Sequence, residues 1–296
     1  MEINIDNNAG FCWGVVQTVE KVEEELLCTK SGKVAILGEI IHNPQEIQRL
    51  SQKGLKTVSL NDLDNISKEE KIVIRAHGEP PSTYKLLEDK GFNYTDATCP
   101  LVKSLQRKVQ KYYLEGYQIL IFGKRQHAEV VGLRGVCDDN CIVIKSKKDE
   151  NLELVDLSKK TVLFSQTTMN RSDYLELSAE LKSKFTITNG NDELYLCQDT
   201  ICKYVNDRET NLRKFAGDND LIIFTAGKNS SNGKSLFSIC YSENPNTIFI
   251  ESYDEIIFSE IKNYKKIGIT GATSTPQWYL EKVKEYIFQQ LESNQT

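Results

Sequence analysis

The sequence predicts an α/β protein with mainly parallel sheets. Short β-rich apolar runs alternate with helical patterns along the whole chain. Runs such as Leu221–Phe224 are apolar throughout, as strands buried on both faces are. Polar motifs fall just past the strand ends, the edge of a parallel sheet where ligands bind.

Strands are expected at 2–6, 34–37, 71–75, 118–122, 161–165, 221–225, 247–251 and 266–270. Between them, residues 15–29 place Val15, Val19, Val22, Leu26 and Leu27 at helical spacing, and 276–291 do the same with Trp278, Leu280, Val283 and Ile287. Helix starts are marked by Pro44, Pro100, Asp173 and Pro276. The pattern has a coarse period near 100 residues, and no linker-like stretch interrupts it.

Composition narrows the function. At 296 residues the chain can hold two or three small domains, each with its own core. A net charge of −5 argues against nucleic acid as the main partner, since a phosphate backbone needs a basic face. No leader-like start and no apolar run long enough to span a bilayer are present, so a cytoplasmic protein is expected, without a membrane partner. Eight cysteines in that setting point to metal binding or catalysis rather than a disulfide scaffold.

Three cysteines stand apart. Cys12, Cys99 and Cys202 lie in separate loop motifs, each leading into a helix whose N-terminal dipole favours a thiolate. None forms a CxxC, so three thiolates from three parts of one fold suit an iron–sulfur cluster with one iron left open. Cys28, Cys137, Cys141 and Cys240 are expected as small core residues. Spacing alone does not choose between Cys197 and Cys202.

His42, His77 and His127 all fall in strand-end loops, where they can bind an anion. His127 and Glu129 form a candidate proton-transfer pair, against the alternative of a charged first helical turn. Ser230, Ser231 and Asn232 open a helix, with Ser274 and Thr275 similarly placed. Such helix starts bind phosphate, although Ser and Asn also cap helices with no ligand at all.

The segments GFCWGV, IIHNPQ, RAHGEPP, DATCPLV, HAEVVG, SQTT, DTICKYVNDRE, GKNSSN and TGATSTP, in this order from residue 10 to 276, resemble the 4-hydroxy-3-methylbut-2-enyl diphosphate reductase family. The resemblance implies three similar α/β domains in pseudo-threefold arrangement around a central iron–sulfur site. Their expected limits are 13–99, 100–199 and 200–282, the last completed by the N-terminal strand in 1–12, with 283–296 ending the C-terminal helix. It implies a [4Fe-4S] cluster on Cys12, Cys99 and Cys202, thereby preferring Cys202 to Cys197. His42, His77, His127, Ser230, Ser231, Asn232 and Ser274 would bind the diphosphate, Glu129 would be the essential acid, and Thr167 its hydroxyl relay. The implied reaction is reductive dehydroxylation of an allylic diphosphate to isopentenyl and dimethylallyl diphosphate, with ferredoxin or flavodoxin as electron donor.

Trp13, Tyr204, Val205 and Glu209 depart from the commoner family pattern near the first and third cysteines. Quinolinate synthase, also a three-cysteine iron–sulfur enzyme, is the alternative. It accounts for the cysteines and the fold but not for HAE, GKNSSN or the order of the motifs. A cluster-based sensor and a zinc protein are the further alternatives.

Overall fold

The computed structural model describes residues 1–29 and 33–293, apart from the side chains of Val205 and Asn206. The end of the expected C-terminal segment, 294–296, and the expected influence of Val205 lie outside the described residues.

Twelve strands among the described residues form three four-stranded sheets. The first contains β1 (Glu2–Ile5), β10 (Leu221–Thr225), β11 (Thr247–Ile250) and β12 (Lys266–Gly271), in the order β1-β12-β10-β11. The second contains β2 (Val34–Leu37), β3 (Leu55–Val58), β4 (Lys71–Ile74) and β5 (Tyr94–Asp96), ordered β5-β4-β2-β3. The third contains β6 (Gln118–Phe122), β7 (Cys141–Ile144), β8 (Thr161–Ser165) and β9 (Tyr195–Cys197), ordered β9-β8-β6-β7. One strand order thus recurs three times, and in the first sheet the N-terminal strand fills the place that β5 and β9 fill in the others. The pairs β1–β12, β10–β12, β10–β11, β2–β4, β4–β5, β6–β7, β6–β8 and β8–β9 all run parallel.

Ten α-helices accompany the strands among the described residues. They are α1 (Trp13–Cys28), α2 (Pro44–Gln52), α3 (Pro81–Asp89), α4 (Pro100–Leu114), α5 (Ala128–Gly135), α6 (Arg171–Asn189), α7 (Lys203–Gly217), α8 (Ser231–Glu243), α9 (Phe258–Ile261) and α10 (Gln277–Ser293). The chain divides into two compact units. One comprises Met1–Cys28, Gly38–Thr57 and Lys203–Thr296, and the other Thr29–Leu37 and Val58–Cys202. In the first unit Ile3, Ile223, Ile267 and Ile269 pack with Tyr279, Leu280, Val283 and Ile287 of α10. In the second, Leu120, Phe122 and Leu163 pack with Tyr174, Leu177, Leu181 and Phe185 of α6.

The eight expected strands are present, while β3, β5, β7 and β9 were not anticipated from the sequence. β5 and β9 are three-residue edge strands, too short to show a period, and β3 is an edge strand with two exposed central residues. β7 follows Asp138 and Asp139, both at positive φ, a turn made by residues that only occasionally adopt that region. α1 buries Val19 and Val22 but leaves Leu27 exposed, because a residue next to Leu26 lies about 100° further round the helix. The cap of α6 is Asn170, whose side chain accepts from the Asp173 N–H, so Asp173 is inside the helix and not its cap. Cys137 and Cys240 are buried as expected, but Cys28 is exposed at the end of α1 and Cys141 is only half-buried at the start of β7.

Candidate functional site

The repeated sheet order gives the site residues a repeated address. Each sheet has a cysteine beyond its corresponding edge strand: Cys12 after β1, Cys99 after β5 and Cys202 after β9. The next strand inward carries Ser274 after β12, His77 after β4 and Thr167 after β8. The third strand in the same direction carries Ser230–Asn232 after β10, His42 after β2 and His127 with Glu129 after β6. All follow the C-terminal ends of their strands, the ligand-binding edge of parallel sheets.

In the second unit, His127 is the N-cap of α5, and its Nδ1 accepts the backbone N–H of Glu129 at 3.2 Å. This bond leaves the ring proton to Nε2 in the neutral form. His77 packs edge-to-face against His127, with ring centroids 5.3 Å apart. Glu129 lies one residue into α5 and is 1% exposed. Thr167 donates to both its oxygens, from the backbone N–H to Oε1 and from Oγ1 to Oε2, each at 2.7 Å. Burial nevertheless dominates and pushes the Glu129 pKa up to about 7, with the Thr167 donors pulling the other way. A carboxyl balanced near neutrality and bonded to a hydroxyl can give up or take a proton at physiological pH.

Cys99 is the N-cap of α4, and Cys202 directly precedes α7. Their backbone N–H groups are held by the carbonyls of Ala76 (3.0 Å) and Thr167 (2.9 Å). Burial raises the Cys99 thiol above its ordinary pKa, against the N–H groups of Leu101 and Val102, and the nearby Cys202 and Glu129 raise it further. The helix start thus favours the thiolate as the sequence suggested, but burial outweighs it. A bound metal reverses that balance, because its charge stabilises a coordinating thiolate outright. Cys197 is exposed on β9, whereas Cys202 is half-buried and fixed to the Thr167 carbonyl.

In the first unit, Cys12 is half-buried ahead of α1, with its N–H on the Thr273 carbonyl at 3.1 Å. His42 precedes the α2 cap Asn43, and its Nδ1 lies 3.1 Å from Glu39 Oε2. A Cβ at Gly227 would come within 2.4 Å of the His42 carbonyl oxygen, so this close approach requires glycine. Ser230 caps α8 by accepting the Gly233 N–H at 2.9 Å, which uses an oxygen lone pair and not the O–H. Asn232 Oδ1 accepts from both the N–H and the hydroxyl of Thr273, at 3.0 and 2.8 Å. Among the described residues, buried Asn232 Nδ2 and Ser274 Oγ have no hydrogen-bond partner. Two such orphaned groups at a helix start suit an anion, since a buried unmade hydrogen bond costs about 1–3 kcal/mol.

The sequence missed Thr273, which sits inside a motif that drew notice for its neighbours Ser274 and Thr275. It also missed the buried ion pair Asp6–Arg208, 2.6 Å long, with Thr270 bonded to both members. An aspartate at a strand end and an arginine within a helix look like surface residues until the fold encloses them.

A recurring α/β sheet that offers thiols, imidazoles and a buried acid from its ligand-binding edge defines an enzyme-type site. The LytB protein family model matches residues 3–288, and the chain belongs to that family. It is 40% identical over 307 residues to the 4-hydroxy-3-methylbut-2-enyl diphosphate reductase of Chloroherpeton thalassium, covering 97% of this chain and 96% of the relative. The protein of the same description from Bacteroides fragilis is 42% identical over 295 residues, covering 98% and 99%. Among solved structures, an (E)-4-hydroxy-3-methyl-but-2-enyl diphosphate reductase, described as the terminal enzyme of the non-mevalonate pathway, matches with TM-score 0.72 at 33% identity, covering 98% of this chain and 100% of that one. The E-1-hydroxy-2-methyl-but-2-enyl-4-diphosphate reductase of Plasmodium falciparum matches with TM-score 0.84 at 26% identity, covering 96% and 87%. The family expected from the sequence is the family found.

Proposed function

We propose that the chain reduces (E)-4-hydroxy-3-methylbut-2-enyl diphosphate to isopentenyl and dimethylallyl diphosphate. Two electrons and two protons enter, the allylic C–O bond breaks, a C–H bond forms and water leaves. The observation that carries this reading is the buried Glu129–Thr167 pair, with its carboxyl near pKa 7, in a unit that also holds two of the three cysteines. Membership of the LytB family supports it independently.

Cys12, Cys99 and Cys202 are the residues that would hold a [4Fe-4S] cluster. Their half-burial, helix-start positions and equivalent strand addresses fit a three-thiolate donor set. When bound, such a cluster supplies single electrons and a Lewis-acidic iron. The chain's own residues do the rest. Ser230, Ser231, Asn232 and Ser274 bind the diphosphate with His42, His77 and His127. Neutral His127 contributes Nε2–H, because its Nδ1 is engaged by the α5 backbone. Held this way, the substrate presents its alcohol to the acid, a gain of orientation rather than of redox chemistry. When Glu129 is protonated, Oε2 donates to Thr167 Oγ1 across the 2.7 Å contact, the reverse of the bond the hydroxyl makes to the ionised carboxylate, and the Thr167 hydroxyl gives its own proton to the departing oxygen.

The three-domain division at 13–99, 100–199 and 200–282 belongs to the same proposal. It is supported by one sheet falling in each range, with β1 added to the third. Ferredoxin or flavodoxin is proposed as the electron donor, and the cytoplasm as the location. No described helix is long and apolar enough to cross a membrane.

Anaerobic reconstitution with iron and sulfide tests the ligand set. Wild type and Cys197→Ser are expected to retain about four irons per chain, and Cys202→Ser to lose the visible cluster absorption and the activity together. Loss in Cys197→Ser with retention in Cys202→Ser would reverse the assignment. Zinc without acid-labile sulfide would favour a structural metal site instead.

A further inference from the structure

We propose that Thr273 is a positioning residue, the internal counterpart of Thr167, which holds the Asn232 amide with its N–H groups turned toward a bound diphosphate. The inference rests on the diphosphate reading of this site.

A triad of hydrogen bonds occurs twice in the chain. Thr167 lies two residues beyond β8. Its N–H and Oγ1 donate to Glu129, the second residue of α5, and its carbonyl accepts the N–H of Cys202. Thr273 lies two residues beyond β12. Its N–H and Oγ1 donate to Asn232, the second residue of α8, and its carbonyl accepts the N–H of Cys12. The strands correspond, β8 and β12 each being second from the cysteine-bearing edge. In the remaining sheet the residue two beyond β4 is Ala76. It keeps the carbonyl bond to Cys99 at 3.0 Å but has no hydroxyl to give. The fold therefore supplies the carbonyl–cysteine link three times, and the sequence adds the hydroxyl clamp at two of the three positions.

What the clamp does differs with its target. At Glu129 it holds a carboxyl, whose two oxygens are alike. At Asn232 it holds an amide, whose two ends are not. Both Thr273 donors converge on one Asn232 atom, which must be the acceptor oxygen Oδ1. Turning the amide over would set its NH₂ against the Thr273 N–H, donor to donor. The NH₂ is consequently kept on the opposite side, where Nδ2 is buried and has no partner among the described residues. Ser274 Oγ, on the adjoining residue, is buried and orphaned in the same way. An amide torsion is broad when unsupported, so the second bond, from Oγ1, is what narrows it. The turn is itself braced, with Thr275 N–H on the Ala272 carbonyl at 2.9 Å and Thr275 Oγ1 on the Thr225 carbonyl at 2.8 Å. Because the Thr273 carbonyl also holds Cys12, the anion donor and a cysteine proposed to bind the cluster are supported by one residue.

Calorimetric titration of the cluster-containing protein with inorganic diphosphate tests this, alongside steady-state kinetics. Thr273→Val keeps the backbone bonds and removes only the hydroxyl. It is expected to weaken diphosphate binding about three- to ten-fold, the usual worth of one buried hydrogen bond, with the kinetic loss falling mainly on KM. Thr273→Ser is expected to restore it. Thr247→Val removes a comparable buried hydroxyl bond, to the Asn244 carbonyl at the start of β11 and so at the other end of the sheet from Asn232, and is expected to lower the melting temperature but not the affinity. Wild type that binds while Thr273→Val binds within about twofold of it would overturn the positioning role. An equal loss in Thr247→Val would do the same, by making the effect one of general stability. Wild type with no affinity for inorganic diphosphate and no saturable substrate binding would overturn the diphosphate reading itself, and the inference with it.

Discussion

Glu129→Gln is expected to lower turnover by about 10²–10⁴-fold, the range a positioned proton donor contributes, while leaving the protein folded. Glutamine keeps an oxygen for the Thr167 N–H, and the Thr167 hydroxyl can turn to accept from the new NH₂. The substitution also has a pH signature. Burial raises the folded pKa of Glu129 to about 7 from an ordinary 4.5. A raised folded pKa means that the neutral carboxyl contributes its full stability below about pH 4.5, and that this is lost as pH rises through 7. The span corresponds to about 3 kcal/mol at most. The stability of Glu129→Gln relative to wild type should therefore increase between about pH 5 and pH 8.5. Wild-type turnover should fall over the upper part of this range as the acid ionises. Chemical unfolding of both proteins at several pH values reads the first effect, and a pH–rate profile the second. A constant stability difference would mean that Glu129 does not titrate near neutrality.

Breaking the ion pair of the first unit carries the other large effect. Arg208 and Asp6 are both nearly inaccessible to solvent, and Thr270 Oγ1 accepts from the guanidinium and donates to the carboxylate. Asp6→Asn removes the countercharge and strands a buried guanidinium, one of whose nitrogens, Nη1, already has no partner among the described residues. The expected cost is about 3–5 kcal/mol, or a melting temperature lower by roughly 10 °C. Replacing both charges by apolar residues, as in Asp6→Leu with Arg208→Met, is expected to recover much of this, since a buried pair contributes little net stability over well-packed hydrophobic groups. Thermal melts of the three proteins check both statements. A double variant no better than Asp6→Asn would show that the pair is required for more than charge balance.

The sequence was most legible where chemistry and periodicity coincide. Apolar runs such as Ile119–Phe122 and Leu221–Thr225 can hardly be anything but central strands, and both are fully buried. The candidate site residues could be picked out because histidine occurs only three times and because the motifs follow a known order. What escaped notice depended on geometry. The edge strands β5 and β9 are defined by their neighbours rather than by their own three residues. Leu27 has the composition of a core residue but not its azimuth. Thr273 is one of several hydroxyl residues in TGATSTP, and only its two bonds to Asn232 separate it from the rest. The choice of Cys202 over Cys197 came from resemblance, not from spacing.

The threefold recurrence of strand order explains why the candidate site residues are so widely spread in sequence. Each repeat of the fold presents one cysteine and two polar segments from the same edge. One copy carries the carboxyl–hydroxyl pair, another the amide with its hydroxyl clamp, and the remaining one two of the three histidines. A single strand order thus presents three different sets of side chains without altering the cysteine link beneath them.

The most direct test of the proposed reaction is anaerobic oxidation of a reduced viologen dye by the iron-reconstituted protein on addition of (E)-4-hydroxy-3-methylbut-2-enyl diphosphate. Substrate-dependent dye oxidation is expected, with isopentenyl and dimethylallyl diphosphate as products, abolished in Cys202→Ser and reduced by at least about 10²-fold in Glu129→Gln. A protein that contains an intact four-iron cluster and yet neither oxidises the dye nor consumes the substrate would contradict it.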